Sequence, residues 1–458
     1  MRMTKHILML SSALLLAGCF GGASQYEKTA ATSGWVTKSD TIARTAQADT
    51  LKNWWLGFED ENLNALVAEA LSDSPDRNIA MARITEARGL RRSTRSSLFP
   101  QIGASAQIGR ADNGSFGGAG GGADDVYDAA FDASYEIDVF GQNRAQARAS
   151  DDNLTALQFA YDHTSLTLIG DVVRNYIDMR RFEKQVRIAE RNLYSQEKTL
   201  ELVRNLMEVG EATSLDAQRS ENLVNTTRAS IPAYKAQADA ARFALSVLTG
   251  KTPQDLVPMI ALDKTLPSAN FEPVLMTPSN VIANRPDVNA AAAALSAQSN
   301  LSYAAMVDIF PSFTLSGLYG ITRSTFVDRT NIWSLAAGTA VSLIDFGRIR
   351  GAIDAQRAVE EQVYQAYRKA VLSATAEVET ALSDYLRITE AKVSLAAAFE
   401  NARETLRLSQ LLYEEGEISF LDILEAQRTL NNADTSLVDA EANSLQALTR
   451  LYKALGVY

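Results

Sequence analysis

The sequence predicts a mixed α and β membrane protein that contains two copies of one structural unit. Three features support this fold class: an internal repeat, alternating segments long enough to cross a membrane as strands, and very long helical stretches. The repeat is clearest between Thr199 and Asp216, where nine residues recur between Thr405 and Asp422. The spacing is 206 positions throughout, which is typical of a duplicated unit.

The repeat extends well beyond this segment. At the same spacing of 206, Phe140-Gly141 matches Phe346-Gly347 and Gly250 matches Gly456. Further upstream the spacing is 211, because Pro75-Asp76 matches Pro286-Asp287 and Phe99-Pro100 matches Phe310-Pro311. The first copy therefore has five more residues than the second between Pro100 and Phe140.

The start of the chain is predicted to be a targeting signal over residues 1–18. Arg2 and Lys5 precede a short apolar run that is too short to cross a bilayer as a mature helix. The run ends at Leu16-Ala17-Gly18-Cys19, which resembles the lipobox of bacterial lipoproteins. We expect cleavage before Cys19 and lipidation of its sulfur, and an ordinary signal peptide with an incidental cysteine is the alternative. No other cofactor and no metal site is expected.

An alternating segment from Tyr127 to Val139 predicts a transmembrane strand. One face carries aromatic and aliphatic residues, and the other carries four carboxylates. Membrane strands need about 9–11 residues with an apolar face toward lipid and a polar face toward the lumen. The predicted lumenal acids are Asp128, Asp132, Glu136 and Asp138.

Three further strands complete two hairpins. A weaker alternating strand begins near Ile102, and the second copy repeats the pattern over 313–321 and 333–343. The glycine-rich segment 113–122 is predicted to be a loop. It is not expected to bind phosphate, because a strand rather than a helix follows it.

A very long helix is predicted after each hairpin. Between Gln142 and about Val209 there is no proline and only one glycine. Roughly 68 helical residues would extend about 100 Å. The chain then turns at Gly210, or at Gly416 in the second copy, and returns as a shorter helix.

These signals give the following predicted boundaries. After the signal peptide come an N-terminal linker and equatorial segment over 19–61, a first repeat over 62–250, an equatorial connector over 251–280 and a second repeat over 281–458. The first repeat contains a helix at 62–98, a hairpin at 101–140, a long helix at 142–209 and a return helix at 213–248. The second contains a helix, a hairpin at 312–346, a long helix at 348–415 and a return helix at 419–456.

Several of these motifs together resemble the outer membrane factor family, the TolC-like efflux and secretion channels. Within it, the chain looks like the lipoprotein branch of nodulation-type efflux proteins. The resemblance covers nearly the whole mature chain and rests on Leu16–Cys19, Trp54-Trp55 with Phe58, Arg285–Val288, Phe310–Gly317, Asp345–Gly347, and Tyr413–Asp422 with Gln427.

The resemblance implies a homotrimer with a shared 12-stranded barrel and a long helical tunnel in the periplasm. It implies the passive exit duct of a tripartite efflux system, with a periplasmic adaptor and an inner-membrane RND-type pump as partners. By the same resemblance, Phe20 after Cys19 favours sorting to the outer membrane, so outer-membrane lipid is an expected partner. Independently, four strands leave two unpaired edges, which lipid does not tolerate. Three copies give twelve strands. Two copies would give an eight-stranded barrel, whose interior is filled by side chains and leaves no conduit.

The resemblance also assigns roles at the helical ends. Gly210, Asp216 and Gly416 match the tips that meet the adaptor. Asp422 and Glu425, one helical turn apart, match an acidic pore constriction.

Tyr413 matches a gating tyrosine of the family. In the best-known relatives an arginine accompanies this tyrosine and forms a salt bridge that locks the tips, but Ile418 replaces that arginine here, which puts this lock in doubt. Asp422 and Asp216 could instead be first-turn helix acids, and both roles can coexist.

Other classes of function fit less well. The formal charge of −11 argues against a nucleic-acid partner. An enzyme is disfavoured because His163, the one histidine of the mature chain, has no cysteine or paired acid nearby. A structural coiled-coil lipoprotein would leave the strands unexplained. A type I protein-secretion channel is the nearest alternative, but the lipobox and Arg285-Pro286-Asp287 favour efflux.

Overall fold

The structure, a computed structural model, describes residues 34–37, 51–112, 123–260, 265–269, 273–324 and 328–458. The predicted signal peptide, Cys19 and the glycine-rich loop 113–122 lie outside the described residues. No helix in the described ranges is both long and apolar enough to span a membrane.

The first repeat begins after a short 3₁₀ segment at Trp54–Phe58. Its elements are α1 (Glu61–Asp73), α2 (Pro75–Ser96), β1 (Gln101–Asp112), β2 (Ala123–Glu136), α3 (Gln142–Glu208) and α4 (Ser214–Leu248). The connector holds α5 (Pro253–Leu256), and the second repeat holds α6 (Pro278–Asn284), α7 (Pro286–Val307), β3 (Ser312–Arg323), β4 (Thr330–Ala340), α8 (Arg348–Glu414) and α9 (Phe420–Leu455).

Each predicted first helix is split in two at a proline. In the first repeat, Ser74 adopts ψ 129°, and Pro75 opens α2. The residue before a proline avoids helical angles, which explains the break between α1 and α2. Pro286 opens α7 in the same way after the extended residue Arg285.

The four strands form one antiparallel sheet in the order β1-β2-β3-β4. Ile108 lies opposite Tyr127, and Ala104 lies opposite Phe131, so these pairs belong to the apolar face. Since side chains alternate between faces, Asp128 and the other even-numbered residues of β2 lie on the opposite, polar face.

The strand β2 is shorter than the predicted alternating segment. It ends at Glu136, so Asp138 lies outside the strand, which corrects its assignment to the strand's polar face. The Asp138 carboxylate accepts hydrogen bonds from the backbone N–H groups of Asn143 at 3.2 Å and Arg144 at 2.9 Å. These are unsatisfied donors at the start of α3, where a carboxylate is stabilised. Because Asp138 binds the start of α3, the strand ends at Glu136, before the alternating sequence pattern does.

Contacts divide the described chain into two compact units. One holds residues 82–159 and 289–369 and contains the sheet, and the other holds the remaining described residues. The second unit contains the main hydrophobic core, which includes the buried face of α3 from Leu168 to Met179. Trp54 stacks on Tyr452 in this core with ring centroids 5.5 Å apart.

Both repeats end with a glycine packed against the start of their own repeat. Gly250 and Gly456 follow α4 and α9 with φ of 69° and 80°. A Cβ added to Gly250 would lie 2.5 Å from the Asp73 carbonyl oxygen, and one added to Gly456 would lie 2.5 Å from Cγ of Arg285. Glycine is therefore required at both positions for conformation and for space.

Candidate functional site at the helical tips and on the strands

The two helical tips have the same backbone construction. Gly210 and Gly416 follow the long helices with φ of 83° and 77°, a region that favours glycine. At the first tip, the Glu211 N–H donates to the Leu206 carbonyl at 2.8 Å, and the matching bond of the second tip is 2.9 Å. Each long helix thus ends in a Schellman motif that reverses the chain.

Asp216 and Asp422 occupy matching positions in the first turn of the return helices α4 and α9. The Asp422 carboxylate accepts hydrogen bonds from the N–H and the hydroxyl of Ser419 at 2.9 and 2.6 Å. These bonds hold the pKa of Asp422 below its ordinary value. Asp216 is bound in the same way by Thr213, at 3.2 and 2.6 Å. Both acids therefore serve as helix-start residues in a single protomer.

Glu425 lies one helical turn after Asp422 on the exposed face of α9. Its carboxylate forms an ion pair and a hydrogen bond with Arg428, three residues further on. Sequence reasoning missed this partner, although an acid followed by arginine at this spacing is a common helical pair. The carboxylates of Asp422 and Glu425 are thus accompanied by one guanidinium, that of Arg428.

Apolar packing joins the two tips. The ring of Tyr413 contacts the ring of Phe420 edge to face, with centroids 5.8 Å apart. The buried members of this tip cluster are Val203, Ala217, Phe420, Ile423 and Leu424. Burial, with the nearby negative charges of Asp216 and Glu211, raises the pKa of Tyr413. Tyr413 is therefore a neutral, half-buried residue of the cluster. Phe420 was not singled out from the sequence, although its place beside the capping serine was visible there.

Polar contacts continue the association between α3 and α9 away from the tips. Arg191 pairs with Asp434 at 2.5 Å, and Gln185 donates to Asp439 at 2.8 Å. Lys184 also pairs with a carboxylate of α9 at 2.5 Å. Arg191 and Asp434 differ in exposure, because Asp434 is largely buried and Arg191 is mostly exposed. These contacts fix the pairing of the two helices below the apolar cluster.

The strand acids form a row along β2. Asp128, Asp132 and Glu136 occupy every fourth position of this strand, an even spacing, and so share one face. Asp128 accepts a hydrogen bond from the Thr322 hydroxyl of β3 at 2.5 Å. Asp138 does not continue the row because it caps α3. From Asp128 to its end, β2 therefore places three acids on the polar face of the sheet.

Among the residues that the structure describes, no group of three His, Cys, Asp or Glu side chains could hold a metal ion. His163 lies in α3 and lines a cavity with Asp287 and Glu377. Both of these carboxylates accept hydrogen bonds from Arg285. The cavity is thus built around an arginine network of the core.

Comparison with known proteins agrees with this architecture. The profile of the family described as Outer membrane efflux protein matches residues 66–251 and 277–457. The pyoverdine export outer membrane protein OpmQ of Pseudomonas aeruginosa is 30% identical, with 99% of this chain and 96% of the relative covered. Nodulation protein T of Rhizobium leguminosarum bv. trifolii is 27% identical, with 100% and 97% covered. The solved structure of the outer-membrane channel OprN matches with a TM-score of 0.86 and 28% identity, over 96% of this chain and 99% of OprN. The protein belongs to the outer membrane efflux protein family.

Proposed function

We propose that the protein is the passive exit duct of a tripartite efflux system and acts as a homotrimer in the outer membrane. The observation that carries this proposal is a four-stranded sheet with one apolar face and one polar face that carries the acids of β2, continuous in sequence with two helices of 67 residues. Such a sheet has two edges, and a bilayer accepts only closed sheets. Three copies provide twelve strands and an interior wide enough for a conduit.

The tips are the proposed contact with a periplasmic adaptor that links the duct to an inner-membrane RND-type pump. They present exposed carboxylates and no exposed lysine or arginine between residues 206 and 218 or between 411 and 425. The exposed tip acids are Glu208, Glu211, Glu414, Glu415, Glu417, Asp422 and Glu425. A basic adaptor surface would complement them. In this scheme the chain conducts substrates and performs no catalytic step.

Asp422 and Glu425 are proposed to form an acidic ring at the narrow end of the duct. Three copies would place six carboxylates around one axis, together with the three Arg428 side chains that pair with Glu425. The ring keeps a net negative charge, and such rings attract cations. Asp422→Asn with Glu425→Gln should therefore lower the cation selectivity of the purified protein in planar bilayers and weaken block by multivalent cations. The closed state should change little, because the tip cluster is apolar and remains intact.

Glu400→Gln is the matched control for the double variant. Glu400 is also exposed and paired with an arginine three residues away, but it lies about four helical turns before the tip. Its replacement should leave selectivity unchanged. Cation selectivity and cation block that stay at wild-type levels in the double variant would place Asp422 and Glu425 outside the pore.

Cys19 is proposed to carry the lipid that anchors the protein. Each buried methylene of an acyl chain contributes roughly 0.8 kcal/mol to membrane binding. In Cys19→Ala, incorporation of labelled palmitate should be lost, and the leader should remain uncleaved or the product unanchored. Wild-type protein labelled in parallel is the control. Label that persists in the variant would show that the lipobox assignment is incorrect.

A further inference from the structure

The edges of the sheet define a specific contact with a second copy of the chain. In the described residues, β1 pairs with β2 alone and β4 pairs with β3 alone, so each has one open edge. Under the proposed trimer, on which this inference rests, β4 of one copy must lie beside β1 of the next. The duplication allows the register of that seam to be deduced.

The two hairpins are equivalent residue by residue. Adding 211 to β1 and 206 to β2 converts the observed pair Gln101–Ser134 into Ser312–Ala340. Ser312–Ala340 is itself an observed pair of β3 and β4. The spacings found in the sequence thus hold within the sheet without any slip of register.

Within one chain, the pairing of β2 with β3 (the internal junction) shows how the second strand of one hairpin pairs with the first strand of the next hairpin. There, Phe131 lies opposite Tyr319. The equivalent of Phe131 in β4 is Ala337, and the equivalent of Tyr319 in β1 is Ile108. We propose that β4 of one copy pairs antiparallel with β1 of the next copy with Ala337 opposite Ile108.

A glycine supports this register. Gly320 of β3 lies opposite Ala130, and a Cβ on Gly320 would lie 2.7 Å from the Ala130 Cβ and 2.5 Å from the Ala129 carbonyl oxygen. The junction between hairpins therefore requires glycine at this position.

Gly109 of β1 is the equivalent of Gly320. No contact in the described part of its own chain requires a glycine at position 109. A Cβ there would meet only the Gln107 side-chain nitrogen at 3.9 Å. In the proposed register Gly109 lies opposite Ala336, which is the equivalent of Ala130. The Ala–Gly pair of the internal junction thus recurs at the seam, where a partner strand explains the glycine.

An aromatic pair supports the same contact near the strand ends. Phe140 stacks on Phe310 at the internal junction, with ring centroids 4.6 Å apart. Their equivalents are Phe346 and Phe99, whose side chains are 99% and 66% exposed in one copy. Two large rings so exposed lose contact with water when they stack. The seam brings Phe346 of one copy to Phe99 of the next.

Cysteine crosslinking tests the register. Residues opposite each other on antiparallel strands have Cα atoms about 4.5–5.5 Å apart, within the range of disulfides. Ala337→Cys with Ile108→Cys should give covalent dimers and trimers on non-reducing denaturing gels after mild oxidation. Ala337→Cys with Gln107→Cys, which places one cysteine on the other face, should give little product, and so should each single variant.

The outcomes separate the register from the trimer itself. Efficient crosslinking of Ala337→Cys with Ala106→Cys or Gln107→Cys, but not with Ile108→Cys, would overturn the register. So would the absence of any product in a complex that has the mass of three copies. A mass of one copy for uncrosslinked protein would overturn the trimeric duct as well.

Glycine replacements give an independent test. Position 338 is also open in one chain, but its equivalent in β2 is Asp132, so the seam accommodates a side chain there. Gly109→Val should therefore lose most of the three-copy complex, and Gly338→Val should retain it. Equal behaviour of the two variants would contradict the proposed seam.

Discussion

Replacement of Arg285 by methionine should lower the stability of the folded protomer by about 3 kcal/mol. This is the lower end of the loss seen when one partner of a buried charge pair is removed, because the Asp287 and Glu377 side chains are 26% and 56% exposed. The Arg285 side chain is 5% exposed. It donates to both oxygens of Asp287 at 2.9 and 2.6 Å and to Glu377 at 2.7 Å. It also donates to the Ala454 carbonyl at 2.9 Å, which ties the start of α7 to the end of α9. Thermal and denaturant unfolding in detergent, followed by circular dichroism, measures the change.

Arg403→Met is the matched control for this change. Arg403 also pairs with a glutamate, but both side chains are more than half exposed, at 65% and 55%. Exposed pairs contribute about 0–1 kcal/mol, so the control should remain close to wild type. Equal losses in the two variants would contradict the role assigned to the buried network.

The same network predicts a dependence on pH. Burial alone would raise the pKa of Asp287, but the Arg285 guanidinium outweighs it and holds that pKa below its ordinary value. The ionised carboxylate is therefore stabilising above the ordinary pKa, and this contribution is lost as pH falls through the lowered one. In Arg285→Met this part of the acid sensitivity should disappear, as unfolding curves between about pH 2 and 5 would show.

Phe420→Ala should loosen the tips and increase the conductance of the channel. Phe420 is 7% exposed and joins Tyr413 to the buried residues of both tips. Truncation of a buried phenylalanine typically costs about 3–5 kcal/mol, a large loss for so small a cluster. We therefore expect longer and larger openings in planar bilayers and greater sensitivity of the tips to protease.

Leu421→Ala provides the matched control at the next residue. Leu421 is 48% exposed and lies outside the tip cluster, so its truncation should leave conductance close to wild type. If Phe420→Ala conducts like wild type while Leu421→Ala does not, closure does not depend on the apolar cluster.

The long elements could be placed from sequence because glycine and proline mark their ends. The predicted helix over 142–209 corresponds to α3, which ends at Glu208, and the predicted turn at Gly416 has the positive φ that glycine allows. The alternation of apolar and polar residues located β2, because one face of this strand carries aromatic and aliphatic side chains and the other carries acids. It could not locate the strand end, since Asp138 fits the alternation but binds the start of α3.

The tip was only partly visible in the sequence. The resemblance placed Asp422 and Tyr413 there, but the contact between Tyr413 and Phe420 depends on how separate helices pack. Arg428 was visible at ion-pair spacing, whereas the bonds from Ser419 to Asp422 depend on a backbone conformation fixed by the preceding turn. Local spacing therefore identified the residues, and tertiary packing decided their partners.

The mass of the detergent-solubilised complex tests the central claim most directly, because four strands per chain require other copies to close a barrel. Size-exclusion chromatography with multi-angle light scattering, corrected for bound detergent, gives that mass. The account predicts three copies of the chain per complex. A mass of one or two copies would contradict a twelve-stranded duct.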